Sequence, residues 1–374
     1  MLSAATSLSP CGRGRLARQR GGVRGISFAP ARPLTPLSFA ESPSPARGEG
    51  KNFPFWLACS TQAGVTDQLV LASRASIAKG SKSFALASKL FDAETRDRAT
   101  MLYAWCRYCD DVIDGQESGH GRIAYAGTPA ERLAELEALT AKALAGEPTG
   151  VMAFEALARV AAQTGMPARY PADLLTGFRI DVEERPFETE ADLLTYCYHV
   201  AGVVGVMMAI VMGVSPDDRA TLDRACDLGL AFQLNNIARD VVEDAEIGRR
   251  YLPGQWIDAA GLSRDDYAAL AHRETLAGVV KRLVDLAEGY EASARFGTPA
   301  LPLRSAWAVL AAAGIYGGIG RKGRAGGAAA LANRVSTSTP QKLGIVAASY
   351  AAAFSRSQRW PSPGPSRTGL WTRP

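Results

Sequence analysis

A chain of 374 residues, 47% of them hydrophobic, has enough apolar sequence for one large domain or two ordinary ones with a sizeable core. Its formal charge of +5 is uneven: residues 1–60 carry +6 and residues 321–374 carry +9, which leaves −10 on the middle. An acidic body with basic ends argues against a polyanion groove, so no nucleic-acid partner is expected, and six cysteines in so long a chain do not make a disulfide framework.

Residues 1–65 are rich in Gly, Pro, Ser and Arg without a sustained period, a composition that buries no core and is expected to be disordered. Arginine enrichment with few acids has the look of a transit peptide, but the dense Gly and Pro oppose the amphipathic helix such peptides use. SPCGRGR and SPSPARGEG read as low-complexity sequence upstream of the true start. A folded unit is expected over 66–335, followed by a tail over 336–374. In Lys79–Leu90, Ser81 and Ser83 precede an apolar run as candidate N-caps. On spacing alone the segment is equally an ordinary capped helix or a place where backbone N–H groups and Lys82 receive phosphate.

Arg96–Asp114 is predicted as a long helix. Its second half, YAWCRYCDDVID, sets Asp110 and Asp114 four residues apart on one face, with Arg107 three residues earlier. Leu102, Trp105, Val112 and Ile113 surround the pair, which is therefore not a plain charged surface. Cys106 and Cys109 lie within the same stripe. No second Cys-x-x-Cys exists and the histidines are His120, His199 and His272, so core thiols are expected rather than a redox or zinc site.

Helical periodicity returns over 130–144, 151–163 and 172–184, where Asp181 adds another acid. In Thr195–Val214 the uncharged run from Val200 is shorter than the roughly 20 residues of a membrane span. Gly202 and Gly205 within it leave a shallow groove, suited to close helix packing or to a prenyl chain. Phe232–Pro253, FQLNNIARDVVEDAEIGRRYLP, repeats the acidic pattern: Asn236, Asp240 and Asp244 form a stripe, with Gln233 a turn upstream, Arg239 beside it, and Arg249 and Arg250 past its end. Either stripe alone reads best as a solvated acidic face. Two of them, each with an arginine, point to opposing walls of one metal–diphosphate pocket, where carboxylates hold a hard divalent cation and guanidinium forks hold phosphate oxygens. Further helices are predicted over Asp265–His272, Thr275–Arg295 and Leu301–Gly320, the last of these Ala-rich. With no β-hairpin signal and no Gly-rich nucleotide loop, the chain is expected to be all-α, one domain of helices around a central cavity.

The two acidic motifs resemble the squalene/phytoene synthase family over about Gln68–Leu343. The resemblance implies the isoprenoid-synthase fold and a head-to-head prenyltransferase. It implies diphosphate contacts for Ser81, Lys82, Ser83, Arg107, Arg239 and Arg249, and substrate contacts for Tyr103, Gln233 and Tyr316. Metal ligation is implied for Asp110, Asp114, Asn236, Asp240 and Asp244, the four aspartates being catalytic as well. Tyr196 falls beside the reacting carbons, to shield a carbocation or pass a proton, and Asp181 is a further candidate. Within the family, QLNNIARDVVEDA with GRRYLP, YCYHVAG and the terminal LWTRP look like bacterial carotenoid enzymes. They imply geranylgeranyl diphosphate as substrate, phytoene as product, Mg²⁺ (with Mn²⁺ as a substitute) as cofactor and no NADPH. The implied setting is the cytoplasm, with peripheral contact at the inner membrane for release of the product. A squalene or dehydrosqualene synthase using farnesyl diphosphate stays open, as does a non-catalytic assembly-factor relative. The oligomeric state is left open too.

Overall fold

The computed structural model describes residues 68–77, 87–115 and 125–374. The expected disorder of residues 1–65 and the candidate phosphate contacts Ser81, Lys82 and Ser83 lie outside the described residues. Every regular element among those described is helical, as the periodicity predicts.

Capping chemistry explains most boundaries. α1 (Ala93–Asp114) starts where Asp92 accepts the Thr95 backbone N–H and ends on left-handed Gly115. α2 (Pro129–Leu144) opens on a capping box between Thr128 and Glu131. α3 (Met152–Thr164) stops at left-handed Gly165, and α4 (Arg169–Val182) follows. α5 (Glu190–Cys197) opens on a second capping box, Thr189 with Asp192, and runs through a π-turn (Tyr198–Gly202) into α6 (Val203–Val211). The central element is α7 (Arg219–Glu246), which packs against α6, the π-turn, α9 (Arg273–Arg295) and α10 (Leu303–Ala330). Between α7 and α9 lies the short α8 (Gly254–Ala259); α11 (Thr339–Phe354) lies on α10, and α12 (Arg356–Arg359) follows it.

Two elements differ from expectation. Asp265–His272 forms turns and a single 3₁₀ turn at Leu270–His272, because the segment is mostly exposed and has too few inward-facing apolar residues to hold a helix. The helix expected to end at Gly320 continues to Ala330, with a non-helical Gly327 inside it. Its extension is held by Arg321 and Arg324, which pair with Glu288, Glu291 and Asp285 of α9.

The apolar stretch is also longer than the sequence run suggests. Glu190–Val211 forms a continuous 22-residue helical segment with the length and composition to cross a membrane, and 72% of its most apolar window is buried against the rest of the protein. The last residues of the chain lie on the body: Trp371 packs 5.5 Å from Tyr198, and Arg367 and Arg373 pair with Asp227 and Asp223 of α7.

Candidate active site

A cleft with about 1560 Å³ of empty space, its open mouth included, runs between α1, α6, α7 and α10. Tyr103, Arg107 and Asp110 line one end; Phe232 and Tyr316, whose rings lie 4.6 Å apart, line it nearby. Most of the remaining lining is aliphatic, including Leu102, Val204, Met208, Leu228 and Ile315. A cavity with polar groups at one end and hydrocarbon walls elsewhere suits a ligand with a charged head and a long apolar tail.

The helix spacing delivers the first stripe as expected. Arg107 Nη1 lies 2.5 Å from Asp110 Oδ2 and 3.7 Å from Asp111 Oδ1, and all three residues are buried. Burial pulls the Arg107 pKa down, but the Asp110 charge outweighs it and holds the guanidinium above its usual range. The neighbouring thiols are inert: burial pushes Cys106 up to about 12 and Cys109 well above its ordinary value. Both cysteines are free, as the core-thiol reading predicts.

Asp114 ends α1 beside the second motif, with Arg249 Nη2 3.9 Å from its Oδ1. Arg249 also donates to the Tyr251 hydroxyl at 3.3 Å, and Tyr251 donates to Asp181 at 3.3 Å. Tyr196 donates to the same carboxylate at 3.2 Å while its ring stacks on Tyr251 at 5.2 Å. Asp114, Arg249, Tyr251, Asp181 and Tyr196 thus form one connected network. Tyr196 is fully buried and stands outside the cavity lining, reaching the site through that network. Tyr251 escaped the sequence reading, although it follows Arg249 and Arg250 directly.

On α7, Gln233, Asn236 and Asp244 are buried, and the Asp240 side chain is 19% exposed. Arg239 forks onto Asp240, with Nε 2.7 Å from Oδ1. Burial lowers the Arg239 pKa, but the hydrogen bond and charge of Asp240 prevail and raise it. A second arginine meets the same carboxylate: Arg334 Nε lies 3.2 Å from Asp240 Oδ1. Its basic, acid-free stretch was the available signal, but nothing in the local spacing ties it to a residue 94 positions away. Because a lysine keeps the charge but cannot reproduce a two-pronged contact, Arg239→Lys is expected to lower kcat/KM by about 10²-fold. Lys281→Arg, on an exposed i,i+4 pair with Asp285, should stay near the unchanged rate. Steady-state kinetics of the two variants side by side checks this, and equal rates would reduce Arg239 to a helix-surface charge.

Residues 77–341 match the family model described as squalene/phytoene synthase. The chain belongs to the squalene/phytoene synthase family. It is 52% identical over 300 residues to the 15-cis-phytoene synthase of Enterobacter agglomerans, covering 79% of this chain and 99% of the relative. It is 50% identical over 299 residues to the 15-cis-phytoene synthase of Pantoea ananas, covering 80% and 96%. A dehydrosqualene synthase crystallised with a ligand superposes with a TM-score of 0.67 at 27% identity, covering 78% of this chain and 99% of that one. The protein is a prenyltransferase, and membership carries a divalent-cation cofactor with it.

The donor set fits such an ion. The Gln233 carboxamide oxygen is buried without a hydrogen-bond partner, one turn before Asn236. Among the described residues no three Asp, Glu, His or Cys side chains converge closely enough to enclose a metal by themselves. The described acidic side chains of α1 and α7 therefore do not by themselves form a closed cage for a metal.

Proposed function

We propose that this protein is a phytoene synthase, joining two geranylgeranyl diphosphates head to head through prephytoene diphosphate and releasing two diphosphates. The observation that carries the reading is the 50–52% identity to bacterial phytoene synthases over nearly their whole length. The hydrocarbon-lined cleft with Arg107 and Asp110 at one end supports the same substrate class.

Asp110 and Asp114 on α1, with Asn236, Asp240 and Asp244 on α7, would hold Mg²⁺, or Mn²⁺ in its place. When bound, the cation supplies charge that stabilises the departing diphosphate. Arg107, Arg239 and Arg249 orient phosphate oxygens by their forks, and Arg334 stands ready to join them at Asp240. The aliphatic walls on α6, α7 and α10 exclude water, which would otherwise quench an allylic cation to an alcohol. Tyr103, Phe232 and Tyr316 line the same space with aromatic rings, a residue type suited to stabilising positive charge on carbon. The Tyr196–Asp181–Tyr251 network offers a half-buried carboxylate and two hydroxyls to hold a proton beside Arg249. Loss of a proton ends the sequence at phytoene, so no nicotinamide is required. The protein works in the cytoplasm, with peripheral contact at the inner membrane receiving the hydrocarbon.

The test is to incubate purified protein with Mg²⁺ and either farnesyl or geranylgeranyl diphosphate, with and without NADPH. Geranylgeranyl diphosphate alone should give a triene-centred hydrocarbon absorbing in the near ultraviolet, abolished by chelator and restored by Mg²⁺. Reaction with farnesyl diphosphate only, or conversion of the product to squalene by NADPH, would overturn the phytoene assignment and favour the squalene or dehydrosqualene reading.

A further inference from the structure

Away from Asp110, the cleft ends among Met212, Thr221, Arg224, Thr298 and Leu301. Among the described lining residues Arg224 is the one charged side chain at that end. Its stem packs on Gly297, where an added Cβ would stand 2.8 Å from the Arg224 Cβ. Its guanidinium lies 5.7 Å from the Phe296 ring centroid and donates to the Ser293 hydroxyl and the Pro365 carbonyl.

The segment carrying Pro365 is itself fastened to α7. Arg367 forks onto Asp227, with Nε at 2.9 Å and Nη2 at 2.6 Å, and Asp227 has no exposed surface. Arg373 Nε stands 2.6 Å from Asp223 Oδ1. The Trp371 backbone N–H donates to the Tyr290 hydroxyl at 3.1 Å, and Gly364 lies so tightly on Phe296 that an added Cβ would come within 2.7 Å of the ring. The chain end therefore crosses behind α7, whose front face lines the cleft with Thr221, Arg224, Ala225 and Leu228. Arg224 joins the two sides.

We propose that Arg224, held from behind by the strap Gly364–Arg373, is the floor of the cleft and sets the length of prenyl chain it accepts; this rests on the reading of the cleft as a prenyl-diphosphate site. From Thr221 to Phe232 the α7 wall spans about 16 Å at the helical rise of ~1.5 Å per residue, a depth on the scale of an extended prenyl chain. A chain one unit longer must displace the Arg224 side chain, which its hydrogen bonds to Ser293 and Pro365 and its packing on Gly297 hold in place, and forcing extra methylenes against a packed wall is costly. A shorter chain leaves the floor uncovered and forfeits burial.

The experiment compares the full-length protein with Arg224→Ala and Arg224→Met, using farnesyl, geranylgeranyl and geranylfarnesyl diphosphates with Mg²⁺, each scored by kcat/KM and by calorimetric affinity. A third variant ends at Ser362 and carries Asp223→Asn and Asp227→Asn, so that no buried carboxylate is left unpaired. Arg224→Ala should raise the geranylfarnesyl-to-geranylgeranyl ratio by about ten-fold or more, the discrimination expected of a hydrophobic pocket that gains room. Arg224→Met, which restores bulk without the tether, should fall between Arg224→Ala and the unchanged protein. The strapless variant should move the ratio in the same direction as Arg224→Ala. Folded Arg224→Ala with an unchanged ratio overturns the proposal, whatever the strapless variant does. If the unchanged protein fails to turn over geranylgeranyl diphosphate, the functional reading falls, and the affinity ratios still decide the floor.

Discussion

Asp110→Asn and Asp240→Asn are each expected to lower turnover by about 10²–10³-fold, the scale seen when one charge-stabilising group is lost from a transition state. Their effects on stability should differ. Asp110 is 1% exposed and neutralises buried Arg107, so the amide leaves that guanidinium with Asp111 at 3.7 Å as its remaining acidic neighbour. Weakening one side of a buried charged hydrogen bond costs roughly 1–3 kcal/mol, which should appear as a lower melting temperature. The Asp240 side chain is 19% exposed and is shared by Arg334, whose side chain is 43% exposed, and by Arg239, whose side chain is only 6% exposed. Asp240→Asn should therefore also lower the melting temperature, but by less than Asp110→Asn, because its carboxylate keeps contact with water and its amide oxygen can still accept from buried Arg239. Thermal melts by circular dichroism, read beside turnover at saturating Mg²⁺ and substrate, separate the two effects. Full activity in either variant would remove the two-walled site.

How much of this was legible in the sequence follows from what is local. The pairing Arg107–Asp110 lies three residues apart within one helical turn, so spacing predicts it, whereas the Arg239–Asp240 fork joins adjacent residues that helix spacing does not bring face to face; Asp92, Thr128 and Thr189 mark helix starts by local capping chemistry. The all-α class followed from periodicity in the same way. Arg334 on Asp240 and Arg367 on Asp227 connect residues far apart in sequence, and no period encodes them. Basic residues near the chain end therefore read as tail charge, when several of them are partners of buried acids on α7. Tyr196 is an intermediate case. Its motif is visible and its type was singled out, but its hydroxyl is committed to Asp181 on another helix and reaches the site through Tyr251 and Arg249. Gly202 and Gly205 were legible as a groove, while the partner that fills it, Gly229 on α7, was not.

That crossing gives the largest expected effect on the fold. Gly229→Ala places a Cβ 2.3 Å from the Ala201 carbonyl oxygen and 2.6 Å from the Gly202 Cα, and Gly205→Ala places one 2.3 Å from the Ala225 carbonyl oxygen. The obstacles are backbone atoms of a facing helical segment, so no side chain can rotate aside. α7 must move off the π-turn and α6, opening a core contact along its whole length. Overpacking of this kind costs about 1–3 kcal/mol, and more where only backbone can yield. The displacement also reaches function, because α7 carries Asp240 and Asp244 at one end and Arg224 at the other. Gly229→Ala is thus expected to lower the melting temperature and turnover together. The control is Gly278→Ala on α9, where an added Cβ meets nothing within 4 Å and the position is exposed. There the better helix former should stabilise by about 0.5–1 kcal/mol without changing the rate. A Gly229→Ala protein that melts and turns over like the unchanged one would show that the α6–α7 approach has slack, and the close-packed wall of the cleft would have to be abandoned.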